Sequence, residues 1–181
     1  MNMTDTPDSY GAVSRFNHWF TAALVIGLLA IGLYFEDMPR GDEKTYWVKL
    51  HIAVGTLSLA FLAFRVIWRF IGRTPELLPQ PVMLQRLTRL VHGLLLLGIA
   101  VLIVTGPVLV WSGGRAISVF DWFSIASPIG EMHDLHEVLE TVHAIAGKVV
   151  LIALILHVGA VMKHVVIDRD GTLQRMLGRG A

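Results

Sequence analysis

Apolar and polar positions run along this chain in long blocks, not in the short periods of a soluble helix or strand. Residues 15–35, 47–70, 84–111 and 139–166 are almost wholly apolar. Each is long enough for the roughly 20 residues that carry a helix across a bilayer core. Turn residues separate the blocks: Met38-Pro39-Arg40-Gly41, then Thr74-Pro75 through Gln80-Pro81, then Ser112-Gly113-Gly114, with Ser127-Pro128 late in the third connection. The pattern predicts an all-α protein, an integral membrane four-helix bundle forming a single domain over residues 1–181. Gly27, Gly32, Gly55, Gly93, Gly98, Gly106, Gly147 and Gly159 fall within the spans, where small residues let helices approach closely in lipid.

Composition agrees with that class. Hydrophobic residues make up 54% and charged residues 16%, against about 25% charged in a soluble domain. There is no cysteine, which excludes disulfides, thiolate metal sites, iron–sulfur clusters and covalent haem attachment. Residues 1–11 are polar and acidic, without the basic region and apolar run of a cleaved signal peptide. The basic residues lie beside apolar spans and form no soluble basic face, so nucleic acid is not an expected partner and membrane lipid is.

Cations are unequally shared between the two ends. Arg15, Arg65, Arg69, Arg73, Arg86, Arg89, Lys163, Arg169, Arg175 and Arg179 fall on the side of both termini, whereas the other side has Arg40, Lys44, Lys49 and Arg115. The positive-inside rule then places both termini in the cytoplasm. The third connection is acidic, with Asp121, Glu131, Asp134, Glu137 and Glu140. Its Phe120, Trp122 and Phe123 predict a short segment lying on the outer membrane surface.

Most of the eight histidines sit in or beside the spans, where a polar ring is costly and marks function by default. Any one of them alone is more often a packed, hydrogen-bonded residue than a ligand, so the set is judged by geometry. In the fourth span His136, His143, His157 and His164 are spaced by seven, fourteen and seven, which keeps them within about 40° of one helix face. His143 and His157 are about 21 Å apart along the axis. By the orientation above, His18 shares the depth of His157, and His51 shares the depth of His143. A zinc site draws four converging ligands, often with thiolates or carboxylates. Two separated pairs of histidines suit the two faces of a haem iron, whose filled axial positions leave an electron carrier.

The chain resembles the bacterial cytochrome b561 family, grouped with the cytochrome b subunits of nickel–iron hydrogenases. The resemblance rests on Arg15-Phe16-Asn17-His18-Trp19, Lys49-Leu50-His51-Ile52-Ala53-Val54-Gly55, Arg65 with Arg69, His92-Gly93, and His143 with His157 and His164. It implies a multi-pass protein of the bacterial inner membrane carrying two b haems, one on His18 and His157 and one on His51 and His143. It further implies ubiquinone as substrate, with His164 as the catalytic, quinone-site histidine. Some members resemble a superoxide oxidase, which would make the chain a superoxide:ubiquinone oxidoreductase. The alternative is an anchor subunit relaying electrons to quinone from a soluble dehydrogenase or hydrogenase.

Four arginines are candidate partners for haem propionates: Arg15, Arg65 and Arg69 at the terminal side and Arg115 at the other. His92 is read as a propionate or quinone partner or a packed histidine, and Lys148 as a propionate partner or a snorkelling cation. His133 and His136 are expected to flank the fourth helix in water. Trp19, Trp47, Trp68 and Trp111 read as interfacial anchors.

Overall fold

The computed structural model describes residues 2–72, 75, 76 and 78–178; Arg73, Thr74 and Arg179 lie outside the described residues. Four long helices follow the apolar blocks: α1 (Ala12–Glu36), α2 (Asp42–Ile71), α3 (Val82–Ser112) and α4 (His133–Lys163). All four are long and apolar enough to cross a membrane, and no more than 22% of any apolar window is buried within the protein. Their large side chains, Ile26, Phe61, Leu97 and Ile155 among them, therefore face outward, as lipid allows and water would not. The inside is comparatively polar, since Ser14, Asn17, Thr21, Ser58, Thr105 and Ser112 are all buried. Thr21, Ser58 and Thr105 return their hydroxyls to carbonyls one turn earlier, at 2.6, 2.7 and 2.8 Å. Such bonds satisfy the hydroxyl inside its own helix.

The packing is uneven, and the unevenness makes the site. α3 lies close against α4, α1 against α2, and α2 against α3. Among the described residues α4 makes no extended backbone approach to α1 or α2. Side chains, not backbones, span that gap. On the closed side Gly98 is why α3 and α4 can touch: a Cβ there would overlap Val150 Cγ2, and Val150 has 0% exposure.

The two ends are closed differently. At one end, called here the hairpin face, the third connection forms β1 (Ile117–Val119) paired antiparallel with β2 (Phe123–Ile125). Ile117 and Val119 are buried against Ala53 and Val110, with Ile52 and Trp111 beside them. The expected surface segment is thus a strand ribbon that plugs the bundle, and the aromatic Phe120 and Trp122 remain exposed at its turn. Alternation explains the difference: Ile117 and Val119 point one way and Ser118 the other, a period of two that a helix would scatter.

At the other end, the terminal face, the N-terminal tail and a short α5 (Thr172–Leu177) clasp the helices. Asp5 accepts the Gly11 amide at 2.6 Å and the Ser14 hydroxyl at 2.8 Å, setting a carboxylate at the positive start of α1. Ser14 Oγ in turn accepts Trp68 Nε1 of α2 at 2.8 Å. Trp19 Nε1 donates to the Met176 carbonyl at 3.1 Å, and Arg175 donates to the carbonyls of Pro7, Asp8 and Glu76. Two tryptophans read as membrane anchors are therefore ties between segments. Trp47 packs edge-on against Tyr34, and Trp111 Nε1 is buried with no partner among the described residues.

Gly98→Ala is expected to destabilise the protein by about 1–3 kcal/mol, the usual cost of overpacking. Gly27→Ala, where an added Cβ meets nothing within 4 Å, is expected to be neutral or stabilising. Thermal unfolding of the two detergent-solubilised variants measures the difference.

Candidate functional site

His18 lies in the second turn of α1 and His157 two turns before the end of α4, so antiparallel packing brings them to one depth. Their ring centroids are 6.2 Å apart, inclined at 62°. His92, three turns into α3, stands 5.2 Å from His157. Arg65 of α2 approaches His18 Nδ1 with Nη2 at 3.3 Å, and Arg65 and Arg69 are both within electrostatic reach of His92. Arg15 is turned away from this cluster: its Nη1 donates to the Tyr10 carbonyl at 2.6 Å and its guanidinium lies against Gly178.

The second pair sits toward the hairpin face. His51 and His143 have ring centroids 6.3 Å apart, inclined at 84°. Thr105 is the polar neighbour of His143. With its O–H donated to the Val101 carbonyl at 2.8 Å, its oxygen accepts the His143 Nδ1–H at 2.8 Å. The lone pair of His143 is then on Nε2. His51 Nδ1 is buried without a well-formed hydrogen bond among the described residues, although the Leu28 carbonyl of α1 faces the ring. Gly32 and Gly106 adjoin these rings: a Cβ at either would stand 3.6 Å from His51 or 3.5 Å from His143. Alanine fits there and a larger side chain would press on the imidazole. Arg115 is exposed just before β1.

His164 is separate from both pairs. α4 ends in a π turn, His164–Asp168, followed by Arg169 at φ 51°. That reversal carries Asp170 back to His164, whose Nδ1 is 2.5 Å from Asp170 Oδ2 and 3.3 Å from Asp168 Oδ2. Lys163 binds the same Asp168 oxygen at 2.5 Å. Among the described residues, His164, Asp168 and Asp170 are the one set of three such side chains whose donor atoms all lie within 4.8 Å. Among the described residues, neither half-buried histidine pair brings a third such donor within that distance. Partial burial raises the Asp170 pKa, but hydrogen bonds from the Thr172 hydroxyl and amide and from His164 outweigh it and hold the carboxyl below its ordinary 3.8.

The remaining polar residues have local tasks. His136 Nδ1 donates to the Leu109 carbonyl at 2.9 Å and so ties α4 to the end of α3, where a position in water was expected. His133 is exposed beside Glu137. Lys148 pairs with Glu36 of α1 at 2.8 Å on the exposed surface.

The pattern of prokaryotic cytochrome b561 matches residues 9–179. Cytochrome b561 homolog 2 of Escherichia coli strain K12 is 31% identical over 183 residues, spanning 100% of this chain and 97% of that protein. The chain belongs to the prokaryotic cytochrome b561 family. It is accordingly a multi-pass membrane b-type cytochrome, and its cofactor is haem b. The donor set of this cytochrome fits that group. An imidazole nitrogen binds a metal at about 2 Å and lies roughly 1 Å from its ring centre, so two rings on one metal stand about 6 Å apart. Both pairs have that spacing, at 6.2 and 6.3 Å.

Sequence reasoning missed Thr105 and Asp170. Thr105 was findable as a hydroxyl in the most apolar block, at the depth of His143 once α3 and α4 run antiparallel. Asp170 was not, because six residues is no helical spacing and only the reversal at Arg169 closes it.

Asp170 has a depressed pKa, so its contribution to stability is present above the ordinary 3.8 and is lost as pH falls through the lower folded value. The Thr172–Asp170 bonds are expected to open as pH falls below 3.8. Hydrogen exchange at the Thr172 amide against pH, with Asp170→Asn as the reference, measures it.

Proposed function

We propose that this cytochrome holds two b haems, one between His18 and His157 and one between His51 and His143, and exchanges electrons with the quinone pool of the bacterial inner membrane. The observation that carries the reading is the pair of facing imidazoles at two depths, each at metal-sharing separation across a gap that the helix backbones leave open. Bound haem supplies a one-electron iron couple. The protein supplies everything else. Four histidines from three helices fix the ligand positions, and Thr105 presents His143 with its lone pair on Nε2. Arg65 and Arg69 are the cations that meet propionates at the terminal face. Arg115, exposed on the hairpin, serves as a cation for an approaching anion, and Arg15 belongs to the clasp.

The terminal face is cytoplasmic by its excess of Lys and Arg. There His164 binds a quinone carbonyl through Nε2 while Nδ1 is held by Asp170. The carboxylate orients the ring so that it can pass a proton to a reduced quinone. The opposite face accepts the donor, superoxide in the oxidase reading. The acidic third connection repels an anion at long range, and Arg115 is the cation that offsets it locally.

Reduced-minus-oxidised spectra with haem quantitation test the ligand assignment. His18→Leu and His157→Leu are each expected to lose one haem, and the double variant to lose no more than either. His51→Leu and His143→Leu are expected to behave the same way for the other haem, and His18→Leu with His51→Leu to bind none. A wild-type protein with a single haem, or one without a b-type α band, would end the reading. His164→Ala is expected to keep both haems and to slow quinone reduction by about 10²-fold or more, as loss of a general acid does. Superoxide added in place of dithionite, with ubiquinone present, tests the donor.

A further inference from the structure

His143 has its orienting partner on α3, in Thr105, and the same helix presents a second group to the other α4 histidine. His143 and His157 are fourteen residues apart on α4, and Thr105 and His92 are thirteen apart on α3. The two helices run antiparallel in close contact, so each α3 group meets one α4 histidine at its own depth. His92 and His157 have ring centroids 5.2 Å apart, inclined at 58°. An N–H···N bond of about 3 Å between nitrogens roughly 1 Å from their ring centres spans about 5 Å. The same separation is too short for a metal between the two rings, which needs about 6 Å. His92 thus stands beside His157 at hydrogen-bonding and not metal-sharing separation, with no hydrogen bond yet formed between the two rings among the described residues.

We infer that α3 is the tuning helix of the cytochrome, with His92 accepting the Nδ1–H of His157 as Thr105 accepts that of His143. Ligating histidines almost always donate their second ring N–H, and the acceptor fixes the ring and raises its basicity. A neutral imidazole has one ring nitrogen free to accept. A more basic ligand favours the ferric state, so the acceptor lowers the midpoint potential of its own haem. His92 and Thr105 are positioning residues in this arrangement, each acting through one histidine. The inference rests on the haem assignment proposed above.

Redox potentiometry, low-spin electron paramagnetic resonance and haem quantitation on the full-length protein test it. His92→Leu is expected to keep both haems, to shift the midpoint of the His18–His157 haem upward, and to change the g-value spread of that haem alone. His92→Gln, whose amide oxygen can accept the same bond, is expected to restore both readouts. Thr105→Val is expected to shift the His51–His143 haem instead. His51→Leu and His18→Leu backgrounds, each retaining one haem, assign the signals. Where His92→Leu does not assemble, His92→Met, similar in size and without a strong acceptor, is read in the same way. Unchanged potential and g-values in an intact His92→Leu protein overturn the inference. So does loss of that haem, which would make His92 a ligand or a scaffold residue, and so does failure of His92→Gln to restore the signals. Absence of haem from the wild type overturns the proposed function instead, and the two failures are told apart by the α band.

Discussion

The structure depends on one constraint: a polar ring carried into hydrocarbon must be satisfied by protein. In water an unpaired imidazole is solvated at little cost, but in a bilayer core each unsatisfied group costs several kcal/mol. Histidines at four positions in three spans can be borne only if the helices are arranged around them. The bundle does this by packing α3 on α4 through Gly98 and Val150 while holding α4 off α1 and α2. The imidazoles then reach across an interval that apolar side chains would otherwise have closed. Close packing on one side and separation on the other are two parts of one arrangement, because the tight α3–α4 contact fixes the α4 histidines while the gap leaves their faces open.

That division leaves both ends of the bundle in need of closure, and each is closed by the chemistry its environment permits. At the hairpin face Ile117 and Val119 wedge between the ends of α2 and α3, a hydrophobic plug with exposed aromatics at its turn. At the terminal face the closure is polar. Asp5, Ser14 and Trp68 form one hydrogen-bonded chain, and Arg175 gathers the carbonyls of the tail and the second connection. These bonds do not involve His164, Asp168 or Asp170, so the clasp and the His164 turn are held by separate contacts.

The four spans were legible in the sequence because lipid demands length and apolarity, two properties that composition records directly. The pairing of His18 with His157 and of His51 with His143 was legible for a related reason: antiparallel helices of fixed rise convert sequence position into depth. What escaped was whatever depends on irregular backbone. The ribbon at Ile117 and Phe123 has three-residue strands, too short for a periodicity to declare itself among aromatics that also suit a membrane surface. Asp170 meets His164 only because Arg169 turns left-handed. Thr105 looked like one more tolerated hydroxyl, since its bond to Val101 is the ordinary one, and its second role appears only when the facing helix is in place.

The arginines show most clearly where one sequence signal served two purposes. Basic residues near the terminal side are required by topology alone, so their presence could not say which of them also belong to a site. The structure separates them by what each guanidinium touches. Arg15 and Arg175 spend their donors on backbone carbonyls and hold segments together. Among the described arginines, Arg65 is the one that contacts a paired histidine, with a donor aimed at His18 Nδ1. A ring that accepts at Nδ1 carries its proton on Nε2, the opposite of the tautomer Thr105 imposes on His143. Were His18 to hold a metal through Nε2, Nδ1 would carry the proton and Arg65 would have to leave it, which would free its guanidinium, with that of Arg69, for an anionic group. It is the partner of that side chain, not its charge, that sets Arg65 apart from the basic residues topology alone requires.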